Sequence, residues 1–324
     1  MSDFAFYTYT LEEGKRHLFS KETGKTTLEM SAQIFEQILR MNNDLCLKKK
    51  NGESQRLEYK RHEEHDHVFV YELCNRIQTS VKDGHDKNTV ESRPGSYIII
   101  DNREGMFQIA IEANNAFGNT EFGYRRVIDM LNEMLDTRLS ESGLGISIRG
   151  KYDTMTFVEK IYEHKKKKPD DTPKIIQIAF PSPDKVRGLN TTEQQTSVLK
   201  DMARIYNLGN AIEAQVKCRY KKDCPPDLFK GELGVVVDAC LNNNFDLKVQ
   251  FWSGKKFETN SEKFVKRPLE EKHIHDFLNG QTCLDFDSDG PDGGVKNSTY
   301  DLCVKLDAIR NDLMTCKDGD TVKS

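Results

Sequence analysis

The chain has 324 residues, 36% hydrophobic and 31% charged, with a formal net charge of −4. That length allows two domains, each with its own core. The balance excludes both a disordered segment and a bulk polycation that coats nucleic acid. No apolar run approaches the ~20 residues of a membrane span; runs such as Tyr97–Ile100 and Val235–Val237 fall far short, and the N-terminus shows no secretory pattern, so a cytoplasmic protein is expected.

The elements follow in chain order. The β-rich segment Phe4–Thr10 predicts an opening strand. Thr26-Thr27-Leu28-Glu29 has the form of a capping box, and Leu28, Ile34, Phe35, Ile38 and Leu39 then recur at helical spacing through Met41. Leu45–Lys50, the turn Asn51-Gly52 and Gln55–Arg61 predict a hairpin. Val68–Leu73 reads as a strand and Gln78–Arg93 as a polar connection. Tyr97–Ile100 and Met106–Ile111 make a second hairpin, ahead of a long amphipathic helix from about Glu121 to Leu139 that Gly143–Gly145 stops. Ile146–Arg149 is then a strand, Asp153–His164 a helix and Ile175–Phe180 a strand.

The third portion repeats the alternation. Thr191–Tyr206 and Leu228–Leu241 read as helices, the latter with Asp227 at its N-cap. Ile212–Tyr220 and Phe245–Trp252 read as strands, with a short strand around Phe257 after the turn Ser253-Gly254. A small helix near Ile274–Leu278, an Asp/Gly loop and a last helix from Thr299 to Met314 complete the chain. This order predicts an α+β fold with mixed sheets, hairpins and packed helices. The expected division is an N-terminal α+β domain (1–92), a central α+β domain (93–268) and an acidic tail (269–324).

Few patterns point to chemistry. The eight cysteines form no CxxC pair and read as reduced thiols. Three histidines, His62, His65 and His67, lie beside Glu63, Glu64 and Asp66, yet no HExxH helix or second cluster completes a metal site, so they read as a solvated loop entering a strand. Asp227, Asp246 and Lys248, with Glu213, imitate a Mg²⁺-dependent nuclease pattern. Asp285–Gly290 copies half of an EF-hand loop, but Lys296 stands where the closing glutamate is needed, so an acidic linker is expected. There is no phosphate-binding G-x-x-x-x-G-K-[ST] loop and no G-x-S-x-G elbow. Neither cofactor, metal nor catalytic residue is therefore assigned.

Charge placement says more. From Leu269 onward the chain carries six Lys/Arg against twelve Asp/Glu, which leaves the first 268 residues at +2. Within that body Lys48, Lys49, Lys50, Arg56, Lys60 and Arg61 mark both arms of the first hairpin. Lys165, Lys166, Lys167 and Lys168 form a four-lysine turn, and Lys217, Arg219, Lys221 and Lys222 mark a strand and its end. Lys255, Lys256, Lys263, Lys266 and Arg267 add further cations. Such ribbons can follow a phosphate backbone, and the scarcity of interleaved aromatics favours duplex contact over base stacking.

Phe6-Tyr7-Thr8-Tyr9 at the start, the Ser/Thr-initiated helix and the Tyr97–Ile111 hairpin before a long helix carry a resemblance, as do Gly143–Arg149, Asp153-Thr154 and the strand ending in Pro181. In this layout the chain resembles the RexA-like phage-exclusion and abortive-infection proteins, and more distantly the KwaB proteins of the Kiwa defence system. The resemblance implies a cytoplasmic antiviral-defence protein that binds duplex DNA with little sequence preference, as a homodimer and without chemistry of its own. The alternatives are the nuclease above and a protein-interaction subunit of a multi-gene defence system. The acidic segment Asp285–Asp292 is expected to compete with DNA for the basic face.

Overall fold

The computed structural model describes residues 2–13, 28–41, 45–48, 54–75, 77–83, 86–118, 120–151, 154–181, 186–189, 191–206, 213–243, 245–259, 265–284 and 298–314. In chain order these form β1 (Ser2–Glu13), α1 (Ser31–Arg40), β2 (Leu45–Lys48), β3 (Ser54–His65), β4 (Val68–Cys74), β5 (Ile77–Asp83), β6 (Asp86–Ser92), β7 (Gly95–Asp101) and β8 (Gln108–Glu112). There follow α2 (Thr120–Glu141), β9 (Leu144–Gly150), α3 (Thr154–Lys167), β10 (Pro173–Pro181), β11 (Val186–Arg187), α4 (Glu193–Tyr206), β12 (Glu213–Arg219) and α5 (Gly231–Asn242). The last are β13 (Leu247–Phe251), β14 (Lys256–Glu258), β15 (Lys266–Leu269), α6 (Glu271–Leu278), β16 (Cys283–Leu284), β17 (Ser298–Thr299) and α7 (Asp301–Met314). The fold is α+β. All strand pairs with a described register are antiparallel, in place of the mixed sheets expected. No described helix is long and apolar enough to cross a membrane.

The chain forms two compact units, and they do not follow the linear division at residues 92 and 268. One comprises Met1–Phe6, Ala32–Arg138 and Lys266–Ser324; the other Tyr7–Ser31 and Leu139–Val265. Sequence reading divides a chain in order, whereas here the first unit takes in segments from the start, the middle and the end. Strand β1 supplies residues to both.

In the first unit the sheet runs β1–β8–β7–β4–β3–β2, with β15 on Ser2–Ala5. Its central strands read VFVYELC, GSYIIID and QIAIE, near-continuous apolar runs that require cover on both faces. Val68, Val70, Ile99 and Ala110 pack with Ile274 and Phe277 of α6 and Leu302 and Leu306 of α7. On the opposite face the Tyr71 hydroxyl donates to the Leu39 carbonyl of α1 (2.9 Å), and the Arg40 guanidinium lies over Phe69.

Local details depart from the sequence reading. Helix α1 starts at Ser31 rather than Leu28, while Thr26 and Thr27 lie outside the described residues. The expected polar connection Gln78–Arg93 is the hairpin β5–β6, in which Asp83 faces Asp86. In the other unit β9 pairs with Tyr7–Glu13, and β12–β10–β13–β14 form a four-stranded sheet. Helices α3, α4 and α5 supply Phe157, Ile161, Leu199, Val236, Val237 and Cys240 to its core. Helix α4 begins with a reciprocal capping box, Thr192 Oγ1 accepting from Gln195 N–H and Gln195 Oε1 from Thr192 N–H.

Candidate nucleic-acid interface

Successive strand residues point to opposite faces, so the register of the four-stranded sheet sorts its side chains. Ile176 lies opposite Cys218 and Val249, Ile178 opposite Val216 and Leu247, and Val249 opposite Phe257. These residues form the core against α3, α4 and α5. The intervening positions form the outer face: Gln215, Lys217 and Arg219 of β12, Ile175 and Gln177 of β10, Lys248 and Gln250 of β13, and Lys256 and Glu258 of β14. Lys217, Arg219 and Lys256 are exposed, and Lys248 Nζ is paired with Glu258 across the two strands (3.1 Å). Two positions apart on one strand, Lys217 and Arg219 present cations ~7 Å apart along the sheet.

One end of this face is built by three segments distant in sequence. Helix α3 continues to Lys167, so Lys165–Lys167 occupy its last turn and only Lys168 lies beyond it, a correction to the expected four-lysine turn. Cations there are favoured by the negative end of the helix dipole. The four-residue loop Trp252-Ser253-Gly254-Lys255 joins β13 to β14, with Phe251 N–H donating to Lys255 O (2.9 Å) and Gly254 at φ 87°. That left-handed position is why glycine stands there.

Asp171 fastens helix to loop. Its Oδ1 accepts the Ser253 N–H (2.9 Å) and its Oδ2 meets His164 Nε2 (2.8 Å). The His164 ring sits edge-on to Phe251 at 4.6 Å. Burial pushes the Asp171 carboxyl up, but the bonds from Ser253 and the His164 ring outweigh it and hold the group below the ordinary carboxylate range.

Between these segments lies a cleft of about 590 Å³ walled by Lys167, Lys168, Lys222, Trp252, Ser253 and the Pro169–Asp171 turn. Lys174 places its ammonium 4.6 Å from the centre of the Trp252 ring. Lys167 has an exposed partner in Glu163 (3.3 Å). Among the described residues no carboxylate lies within ion-pair distance of Lys166, Lys168, Lys221 or Lys222. The unit's own fold thus brings together Lys167, Lys168 and Lys222. Sequence reading missed Lys174, and it read Trp252 only as the end of a strand. The available signal was the Trp252-Ser253-Gly254-Lys255-Lys256 string, an aromatic beside lysines in a turn.

The hairpin cations belong to the first unit. Lys49 and Lys50 lie outside the described residues, as do the side chains of Lys48 and Arg56. The register puts positions 48, 56 and 60 on one face and 61 on the other. Arg61 donates from Nη1 to the Arg40 carbonyl, closing the end of α1 (3.4 Å). Exposed Lys60 lies opposite Glu72 in the ladder. Of the further cations, Lys263 lies outside the described residues.

The other candidates find ordinary structural partners. Strand β3 runs through His65, and the turn is Asp66-His67, both at positive φ (47° and 61°), rather than the segment around His62. His62 meets Glu72, His65 stacks on Tyr300 and His67 Nδ1 meets Glu36 at 2.6 Å, so the three imidazoles diverge. No group of three or more metal-binding side chains occurs among the described residues. Asp227 is not the N-cap of α5, which is Lys230; it accepts the Phe229 N–H instead (3.2 Å). Lys248 is held by Glu258. The side chain of Glu213 and all of Asp285–Asp292, with the EF-hand-like loop, lie outside the described residues.

Cys74, Cys218, Cys224, Cys240 and Cys303 are free thiols, and burial pushes the Cys303 thiol up to about 12, which leaves it unreactive. Compared with protein-family models, curated proteins and solved structures, the chain finds no match.

Proposed function

We propose that this chain binds nucleic acid by its phosphate backbone, through the outer face of the four-stranded sheet, with little sequence preference and without chemistry of its own. The observation that carries the reading is the uncovered sheet face itself. Its exposed cations Lys217, Arg219 and Lys256 lead to an end where Lys167, Lys168 and Lys222 share one cleft. On the strands of this face the described carboxylate, Glu258, is paired with Lys248, while Asp170 and Asp171 stand beside the lysines in the cleft wall. Such a face attracts phosphates by releasing their counterions and reads no base edges. The resemblance to RexA-like proteins supplies the setting: a cytoplasmic, homodimeric antiphage protein whose ligand is duplex DNA.

The test is anisotropy of a labelled duplex of about 30 base pairs over a salt series, where each phosphate contact contributes a log–log slope of about −0.9. The Lys217→Glu, Arg219→Glu double variant should bind ~10- to 100-fold more weakly and shift the slope by about two contacts, with its melting temperature little changed. No binding by the parent protein even at low salt sinks the proposal.

A further inference from the structure

The chain has a single tryptophan, and the structure puts it in the basic cleft. Trp252 is 38% exposed, whereas its neighbours Phe251 and Phe257 are buried in the core at 0% and 8%. Gln250 is an outer position and Phe251 an inner one, and Trp252 follows in the turn after β13, outside the core cluster that takes Phe251 and Phe257. An indole uncovered there costs apolar burial that the adjoining phenylalanines collect, so packing gives no reason for it.

We infer that Trp252 is a stacking platform and that the cleft takes an unpaired base of the bound DNA strand, an inference that rests on the nucleic-acid reading above. Three observations carry it. The backbone that carries the ring is fixed, because Trp252 N–H donates to Thr172 O (3.1 Å) and Gly254 N–H to Phe251 O (3.0 Å), and an indole has only two side-chain torsions to order. Little freedom is therefore lost when a base stacks. The ammonium of Lys174 lies over one face of the ring, 4.6 Å from its centre, so a base would stack on the other face with this positive charge behind the indole. The cleft, of about 590 Å³, falls within the range that takes a ligand of nucleotide size, and its three lysines, Lys167, Lys168 and Lys222, outnumber the carboxylates Asp170 and Asp171 in the wall, the latter already bonded to Ser253 and His164. A closed duplex offers only base edges in its grooves, so this site favours a frayed end, a gap or a single strand over continuous double helix.

The lone tryptophan is also the reporter. Unmodified protein is titrated with a dumbbell duplex closed at both ends by non-nucleotide linkers, and with the same duplex opened to carry a short single-stranded overhang. Indole emission and anisotropy of a label on the DNA are followed together. The overhang is expected to bind about ten-fold more tightly and to change the indole emission, while the dumbbell binds with emission unchanged. Trp252→Ala should abolish the ten-fold preference, and Trp252→Phe should keep most of it. Equal affinities with unchanged emission overturn the stacking inference and leave backbone binding standing. Failure of both DNAs to bind at low salt overturns the nucleic-acid reading and this inference together.

Discussion

The central strands of the first unit and the four-stranded sheet of the second use the same antiparallel hydrogen bonding but bury it differently. In β4 and β8 consecutive residues are buried, so each strand faces apolar material on both sides. In β13 buried and partly exposed residues alternate, and in β12 Val216 is buried between exposed Gln215 and Lys217. A sheet covered on both faces has spent its surface on stability. One covered on a single face keeps a flat, backbone-satisfied platform whose outer side chains can change without cost to the core. The difference teaches where to look for function: the exposed cations Lys217, Arg219 and Lys256 stand on the half-covered sheet.

The sharpest way to break this comparison is a pair of equivalent substitutions. Val70→Asp places a carboxylate between β4 and the α6–α7 layer and should cost more than about 4 kcal/mol, whereas Gln177→Asp on the outer face should stay within about 0.5 kcal/mol. Urea melts of both variants decide it. Equal losses would mean that the outer face is not solvated.

Asp171→Asn tests the fastening of α3 to the β13–β14 loop, and removal of these charge-assisted bonds should cost about 1–3 kcal/mol. Since the folded carboxyl titrates below its unfolded value near 3.9, its contribution is complete above that pH. It is lost as pH falls through the depressed folded value. The parent protein should therefore show an acid-side loss of stability that the variant lacks, measured by melts between neutral pH and the acid limb. The smallest effect is expected at Glu163→Ala: within about 0.5 kcal/mol in stability, because the pair with Lys167 is exposed, and at most about two-fold tighter DNA binding as the cleft loses a neighbouring carboxylate. Weaker binding by that variant would place the ligand away from α3.

The legible parts of the fold were those with a strong apolar signal. Strands β4 and β7 stand close to their expected positions because they are short apolar runs, and β13, α2 and α4 because their apolar residues recur at the spacing of the element they form. The β5–β6 hairpin lacks that apolar alternation and reads as a connection, although Gly84-His85, between the paired Asp83 and Asp86, is a Gly-X turn signal. Asp227 shows the opposite error. A residue of good capping type precedes an apolar run, yet the helix opens at Gly231, and Gly234 then fits against the Phe229 backbone, where a Cβ would come within 2.7 Å. Of the site, the alternation of Lys217 and Arg219 about a buried position was readable; the company they keep was not.

The sequence alone determined which residues of each strand share a face and which helix ends are basic, because both depend on neighbours a few positions away. Tertiary packing decided which sheet face helices α3, α4 and α5 would cover, and so which row of side chains stayed in water. It also brought Lys167, Lys222 and Trp252 to one cleft. No local period links positions so far apart, and only the closure of a shared core fixes the distance between them.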